Sequence, residues 1–431
     1  MKTVYKMIAG ALCLCLLAAC TGGQSSGLPN GSAPPQDFTG LPEGMRPGSA
    51  PQGEPDAMGS PLPYRAMWIS YLEWPLLDTT GAEAFTASVC TALDNCVSAG
   101  LNTVIVQVRP FSDAIYPSRI YPWSHVITGT QGQSPGFDPL AIFIEQAHAR
   151  GLLLEAWINP YRVRLNGSTL DNALAAENPA VLHPDWVRET ENGLFYDPSL
   201  PEVQEMVAQG VVEILRNYKV DGIQFDDYFY PTMDEDFDAE RFAQYGAGQT
   251  LAEWRRANVN ALVKKVYETI KAEDPAVVFG ISPQGNNDNN YTQQYSDVGL
   301  WLSTPGYVDY IMPQVYWGFD YTTQNGSQRY AFGNIIDEWL AMPRDASVSL
   351  AFGLGAYRIG AGDGSVAESA EWQSGRNLAD MVRLLAARGA DGYALYRYEQ
   401  MFCSREYAEL AAAECAALAE ANGKPGLSSG Q

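Results

Sequence analysis

The sequence predicts a single (β/α)8 TIM barrel, carried behind an N-terminal export signal and a flexible linker. Three observations lead there. Short apolar runs alternate with amphipathic stretches eight times between Tyr64 and about residue 420, and strands alternating with helices build a parallel sheet. Eight such units close into a barrel more readily than they spread into an open doubly wound sheet. The Gly-rich phosphate turn that the open alternative more often carries is missing, because Gly353-Leu354-Gly355-Ala356-Tyr357-Arg358 lacks a third glycine at the required offset.

The N-terminus comes first. Lys2 and Lys6 precede the apolar run Met7 to Leu17, and Leu17-Ala18-Ala19-Cys20 closes it, which gives the three regions of a secretory signal. Its last four residues resemble the lipobox of bacterial lipoproteins. Residues 1–19 are therefore expected to be removed and Cys20 to be acylated, an extracytoplasmic address in the cell envelope, lipid-anchored to a bacterial membrane. The apolar run is too short to span a bilayer. Residues 20–62 are rich in Gly, Pro and Ser without apolar periodicity and read as a solvated tether. The barrel is expected over 63–420 and a frayed tail over 421–431.

Within the barrel, strands are expected at 65–71, 101–108, 151–158, 220–229, 277–282, 308–316, 348–353 and 392–396. Helical patterns follow them to about residue 99, at 139–150, 201–218, about 251–272, near 290–303, 334–342 and 372–388, and over 407–421. Hydrophobic residues make up 46% and charged residues 18%, so the chain can bury a large core. A monomer is expected.

Charge and rare residues exclude several functions. There are 27 Lys+Arg against 50 Asp+Glu, a formal charge of −23, and a nucleic-acid partner is not expected because no basic face is available to neutralise phosphates. His125, His148 and His183 are widely spaced, which disfavours a histidine zinc site. Asp226, Asp227 and the Asn286 to Asn290 loop fit no standard calcium loop. Neither metal nor cofactor is expected. Cys13, Cys15 and Cys20 belong to the signal; Cys90, Cys96, Cys403 and Cys415 lack metal or CxxC spacing. They are read as buried free thiols, with a bridge from Cys90 or Cys96 to Cys415 as the alternative if the first and last helices are neighbours.

A barrel of this type builds its site from the loops after its strands. Those strand ends are dense in carboxylates, amides and aromatics. Glu73 follows the first strand; Gln107, Arg109 and Asp113 the second; Trp157, Asn159, Tyr161 and Arg162 the third; Asp226, Asp227 and Tyr228 the fourth. The sixth gives Gln314, Tyr316 and Trp317, and the eighth Tyr396, Arg397 and Glu399. Flat aromatic faces beside carboxylates and amides match a sugar, with its apolar C–H faces and rim of hydroxyls. In a strand alternate residues share a face, so Gly222, Gln224, Asp226 and Tyr228 are expected to face the mouth, with Ile223, Phe225 and Asp227 opposite. Asp227 faces inward as well if the strand ends there.

These motifs resemble the glycosyl hydrolase-like family ten, a former domain of unknown function that includes bacterial envelope lipoproteins. The carrying stretches are Arg65 to Ile69, Asn102 to Arg109, Ala156-Trp157-Ile158-Asn159-Pro160-Tyr161-Arg162, Asp221 to Pro231, Gly280-Ile281-Ser282-Pro283, and Tyr310 to Trp317. The resemblance covers nearly all of residues 64–415. It implies a barrel glycosidase and, from the family's envelope setting, the glycan strands of peptidoglycan as substrate. The fourth strand also looks like the chitinase-type pattern DGxDxDxE, with Asp221, Gly222 and Asp226 in place. Gln224 stands where an Asp is expected and Tyr228 where the acid Glu belongs, so this likeness supplies no glutamate for substrate-assisted catalysis. Compared with amylase-type barrels, Asp226 is placed like their nucleophile and Asn159 like an amide of their third strand, but the fifth strand lacks their acid Glu.

Glycoside hydrolysis usually needs two carboxyl groups, one protonated and one ionised. Asp226 is expected as nucleophile or base, with the proton donor among Asp227, Glu399, Glu73 and Asp113. Arg109, Asn159 and Gln314 are expected to hold hydroxyls. The rival reading is a catalytically silent glycan-binding lipoprotein on the same barrel.

Overall fold

Eight parallel strands pair in a closed ring: β1 (Tyr64–Ile69), β2 (Thr103–Arg109), β3 (Leu153–Ile158), β4 (Gly222–Phe225), β5 (Val278–Ile281), β6 (Tyr310–Ile311, resuming at Gln314–Val315), β7 (Ser349–Gly355) and β8 (Gly392–Tyr396). The computed structural model describes residues 61–167, 173–367 and 370–424. The expected signal, Cys20 and the linker up to residue 60 lie outside the described residues, as does the end of the tail. The ring closes where β1 pairs with both β2 and β8, Ala66 lying opposite Thr103 and Tyr64 opposite Gly392. β6 is interrupted by Met312-Pro313; its first half pairs with β5 and β7 and its second half with β7.

The helices that follow the strands are α1 (Ala82–Ser98), α2 (Pro139–His148), α3 (Pro201–Asn217), α4 (Leu251–Glu273), α5 (Val298–Ser303), α6 (Phe332–Leu340), α7 (Asn377–Ala387) and α8 (Ala408–Ala421). Local chemistry sets their starts. Pro139 and Pro201 occupy first-turn positions, where a missing N–H costs nothing. Thr250 and Glu253 form a reciprocal capping box on α4, a device in which the cap residue contributes about 1 kcal/mol.

Strand alternation divides the apolar residues between two cores. Val104, Val106 and Val108 of β2 and Ile223 and Phe225 of β4 point outward, into one cluster with Val203, Val207 and Val211 of α3. Tyr64, Trp68, Ile105, Trp157 and Tyr310 point inward and fill the barrel. Large interior side chains need partners without side chains. A Cβ at Gly222 would lie 2.8 Å from Glu155 Cγ, one at Gly280 1.8 Å from the Tyr310 ring, and one at Gly353 2.8 Å from the Trp68 ring.

Glu155 is the interior feature that pattern reading missed. It accepts from Tyr64 Oη at 2.8 Å and from Tyr310 Oη. Gln224 donates to Tyr310 Oη at 2.7 Å and accepts from Trp68 Nε1 at 2.6 Å. Burial pushes the Glu155 carboxyl up to about 7. A carboxyl raised in the folded state holds its proton more tightly there than in the unfolded chain. Its contribution is therefore undiminished at low pH and falls as pH rises from the usual carboxylate range through about 7. Glu155→Gln is expected to flatten the wild type's loss of stability between pH 5 and 8 by about 3 kcal/mol. Urea unfolding across that range checks this, and equal slopes for the two proteins would refute it.

Two departures from the sequence reading bear on the site. The fourth strand stops at Phe225 rather than near residue 229, which frees the following residues to turn into the mouth. The long segment after β3 also folds into a three-stranded antiparallel sheet of Arg162–Leu165, Gly193–Tyr196 and Val187–Thr190, where only a loop was expected. All four described cysteines are free thiols, but of the four expected to be buried only Cys96 is; Cys90 and Cys415 are half-buried and Cys403 is exposed.

Candidate active site

The short β4 ends in the two carboxylates that organise the mouth of the barrel. Gly222, Gln224 and Asp226 face inward and Ile223 and Phe225 outward, as the two-residue period requires. Asp226 is 4% exposed and is surrounded by donors. Trp157 Nε1 donates to its Oδ2 at 3.1 Å, Asn159 Nδ2 lies 3.1 Å from both oxygens, and the Tyr228 amide donates to Oδ1 at 3.2 Å. Burial raises its pKa; the Arg162 charge and these hydrogen bonds pull it back.

Arg162 is held in place before any ligand arrives. Its amide donates to Asn159 Oδ1 at 3.0 Å and its Nε to the Pro110 carbonyl at 2.8 Å. The guanidinium lies 4.8 Å from the Phe111 ring centroid, 5.4 Å from Tyr228 and 5.6 Å from Tyr71, an aromatic setting that favours a cation. Tyr71 and Phe111 were not singled out from the sequence; no spacing rule brings the loops after β1 and β2 over an arginine from β3.

Asp227 turns inward too, because the strand has ended. Gln314 Nε2 of β6 donates to its Oδ1 at 2.9 Å. Burial first, and then the neighbouring Asp226 charge, push its carboxyl up to about 7. Two adjacent carboxyls thus sit in different environments: burial raises both, but donors and the Arg162 charge pull Asp226 back, whereas the Asp226 charge pushes Asp227 further up. Tyr316 stacks on Tyr396 with ring centroids 5.7 Å apart, and the Trp68 edge lies 6.2 Å from Tyr396. Trp317 stacks on Tyr330 at 4.9 Å. Tyr228 is 44% exposed.

Other expected residues support the mouth from behind. Glu73 is 1% exposed; it accepts from the Ser70 amide at 2.8 Å and Ser70 Oγ at 2.6 Å in a capping box, and from Arg397 Nη1 at 2.6 Å. Arg397 also binds Glu399, whose side chain is 37% exposed. Glu73 is accordingly a brace between the first and last strand ends rather than a group facing sugar. Glu73→Gln is expected to cost about 2–3 kcal/mol by breaking a buried pair. Activity per folded molecule should change little; a severalfold loss of kcat without loss of stability would contradict the brace. Gln107 accepts from the Tyr71 amide at 3.1 Å and orients the loop after β1.

Three expected site residues point elsewhere. Arg109 follows a register irregularity between Gln107 and Arg109, and a bulge re-aims the side chain that follows it. Its guanidinium lies 4.4 Å from the Tyr121 ring and fills the space left by Gly210 on α3, outside the barrel. Asp113 is fully buried and engaged by His125 Nδ1 at 2.6 Å and Gln131 Nε2 at 3.1 Å. Tyr161 is buried in the outer core. Among the described residues no group of three or more His, Cys, Asp and Glu could hold a metal ion. A groove of about 520 Å³, lined by Arg188, Glu189, Thr190, Glu191, Thr232, Asp234, Asp236 and Phe237, contains none of the expected site residues.

Comparison with known proteins shows the family and the fold. Residues 63–373 match the family described as Glycosyl hydrolase-like 10. Glycosyl hydrolase YngK of Bacillus subtilis (strain 168) is 38% identical over 318 residues, 68% of this chain and 61% of its own length. Glycosyl hydrolase DigH of Escherichia coli (strain K12) is 35% identical over 364 residues, 76% of this chain and 80% of its own. Among solved structures, the PgaB (BpsB) glycoside hydrolase domain from Bordetella bronchiseptica superposes with a TM-score of 0.52 at 14% identity, covering 81% of this chain and 98% of its own. The endo-1,4-beta-mannanase from Rhizomucor miehei gives 0.52 at 14% identity, covering 90% and 99%. At such identities the two structures show a shared barrel fold.

Proposed function

Because the chain belongs to the Glycosyl hydrolase-like 10 family, we propose that it hydrolyses O-glycosidic bonds in a cell-wall or extracellular polysaccharide, the glycan strands of peptidoglycan being the leading candidate. The proposal includes the address: export, acylation of Cys20 and a tether that lets the barrel reach glycan near a membrane. The observation that carries the activity is the Asp226–Asp227 pair, with one carboxyl surrounded by donors and the other pushed up to about 7. Asp227 protonates the leaving oxygen, Asp226 stays ionised beneath the sugar, and Tyr228, Tyr316 and Tyr396 offer ring faces to it. The silent-binder reading remains the rival, and the unequal surroundings of the two carboxyls, one facing donors and Arg162 and the other pushed up to about 7, favour the hydrolase over it.

The test is mass spectrometry of products after incubating the full chain with purified glycan strands, with and without stem peptides, beside Asp226→Asn. Short oligosaccharides released by the wild type alone are expected, and the masses fix which bond is cut. Binding without release by either protein would replace the hydrolase with a glycan-binding protein.

A further inference from the structure

Two consecutive side chains at the end of β4, Asp226 and Asp227, face the mouth, although strand alternation sends every second one to the outer core. The chain must turn sharply just beyond them, because Phe229 and Tyr230 are already back in the outer core. Two sets of hydrogen bonds make that turn. The Phe229 amide donates to the Asp227 carbonyl at 3.1 Å, which curls the segment on itself. The Gln294 side chain, from the loop after β5, donates to the Asp227 carbonyl at 3.2 Å and to the Tyr230 carbonyl at 3.0 Å, so both ends of the curl hang on one amide. Its oxygen accepts from Gln284 Nε2 at 3.1 Å, and the Tyr230 amide donates to the Gln294 carbonyl at 3.4 Å. This orientation of the Gln294 amide is the one in which its nitrogen meets acceptors and its oxygen a donor.

The backbone is strained where it delivers Gln294. The next residue, Tyr295, is the one non-glycine among the described residues with a positive φ, +53°, a conformation that a bulky residue keeps only when its surroundings impose it. Here Arg255 of α4 imposes it. Arg255 Nη1 donates to Tyr295 Oη at 3.1 Å, and the guanidinium lies 5.0 Å from the Tyr295 ring and 5.1 Å from the Tyr230 ring. The two rings meet edge to face at 5.2 Å, and Arg255 is itself fixed by a fully buried ion pair with Asp238. We infer that Gln294 is a positioning residue for the proposed reaction: delivered by the strained Tyr295, it imposes the turn that aims the Asp227 carboxyl into the mouth. The inference rests on the reading of Asp227 as proton donor. Gln294 acts through the main chain of residues 227–230 and through Gln284, whose side chain also donates to Asp227.

The test is the pH profile of Gln294→Met, which keeps the length of the side chain and removes its hydrogen bonds. Without the anchor the segment either follows strand alternation or admits water to Asp227, and both changes lower a carboxyl that burial pushes up to about 7. The titratable groups that face it are kept in the variant: Asp226 with Arg162 beyond it, Tyr228, and Tyr316 from the end of β6. The alkaline limb of kcat/KM on glycan is expected to move down by at least about one pH unit, and the rate at pH 7 to fall at least about fivefold, the loss of protonated acid which that move entails. Aryl glycosides whose leaving groups need no proton should lose much less. Gln294→Asn, whose amide is one methylene short of the two carbonyls, should move the limb the same way and serves if the first variant does not fold. A merely structural residue would lower the folded fraction and reduce both substrates equally with the limb in place. That result, with the limb abolished in Asp227→Asn, overturns this inference and leaves the acid assignment standing. A limb that persists in Asp227→Asn, or a wild type that turns over no glycan, refutes the reading on which the inference rests and the inference with it.

Discussion

Asp227→Asn is expected to lower kcat/KM on the glycan by about 10²- to 10⁴-fold, the range that a positioned proton donor contributes. The amide keeps the shape and one acceptor for Gln314 but carries no proton to give. The pH profile discriminates further. With its carboxyl pushed up to about 7, wild-type Asp227 is protonated below that value and ionised above it, so the acid-dependent rate should fall as pH rises through about 7. The variant should lose this limb, and it should retain far more activity on aryl glycosides whose leaving groups need no proton. If the limb persists in the variant, proton donation belongs to another group, Glu399 being the next in reach of the mouth. Unfolding does not confuse the result. A carboxyl raised on folding costs stability as pH rises from the usual range toward 7, so the neutral amide should be at least as stable as wild type at pH 8.

Asp226→Asn is expected to reduce kcat by at least about a thousandfold, because it removes the charge that meets the developing positive charge of the transition state. The replacement is isosteric but electrically opposed to its surroundings. Trp157 Nε1, Asn159 Nδ2 and the Tyr228 amide all point donors at this carboxyl, and an NH2 group there faces donors with a donor. One orphaned buried donor costs about 1–3 kcal/mol, so the variant should also melt lower while still binding glycan. Activity within tenfold of wild type, measured on folded protein, would take Asp226 out of the chemistry.

The site was legible in the sequence to the extent that one strand's pattern could carry it. Gly222, Gln224 and Asp226 face inward because a strand alternates, and the aromatics at the ends of β6 and β8 stand at the mouth because loops after parallel strands gather there. What failed were parities counted across irregular backbone. Arg109 follows two residues after Gln107, yet the irregularity between them turns it out toward Gly210. Tyr161 follows the end of β3 and belongs to the outer core, and Asp113 is taken by a histidine from twelve residues further on. Glu73 looked like a free carboxylate until Arg397, more than three hundred residues away, closed on it.

The sequence by itself determined the eight strand-then-helix units, the end of the barrel where the polar strand ends gather, and Asp226 as an inward-facing carboxylate there. These follow from hydrophobic periodicity and capping, which act within a few residues. The tertiary structure decided which carboxyls are spent on arginines or histidine, that β4 ends early enough for Asp227 to turn inward, and that Glu155 lies sealed beneath the site between Tyr64 and Tyr310. Burial and partners separated by most of the chain set charge state, and closure of the ring brings them together only after every strand has found its neighbour.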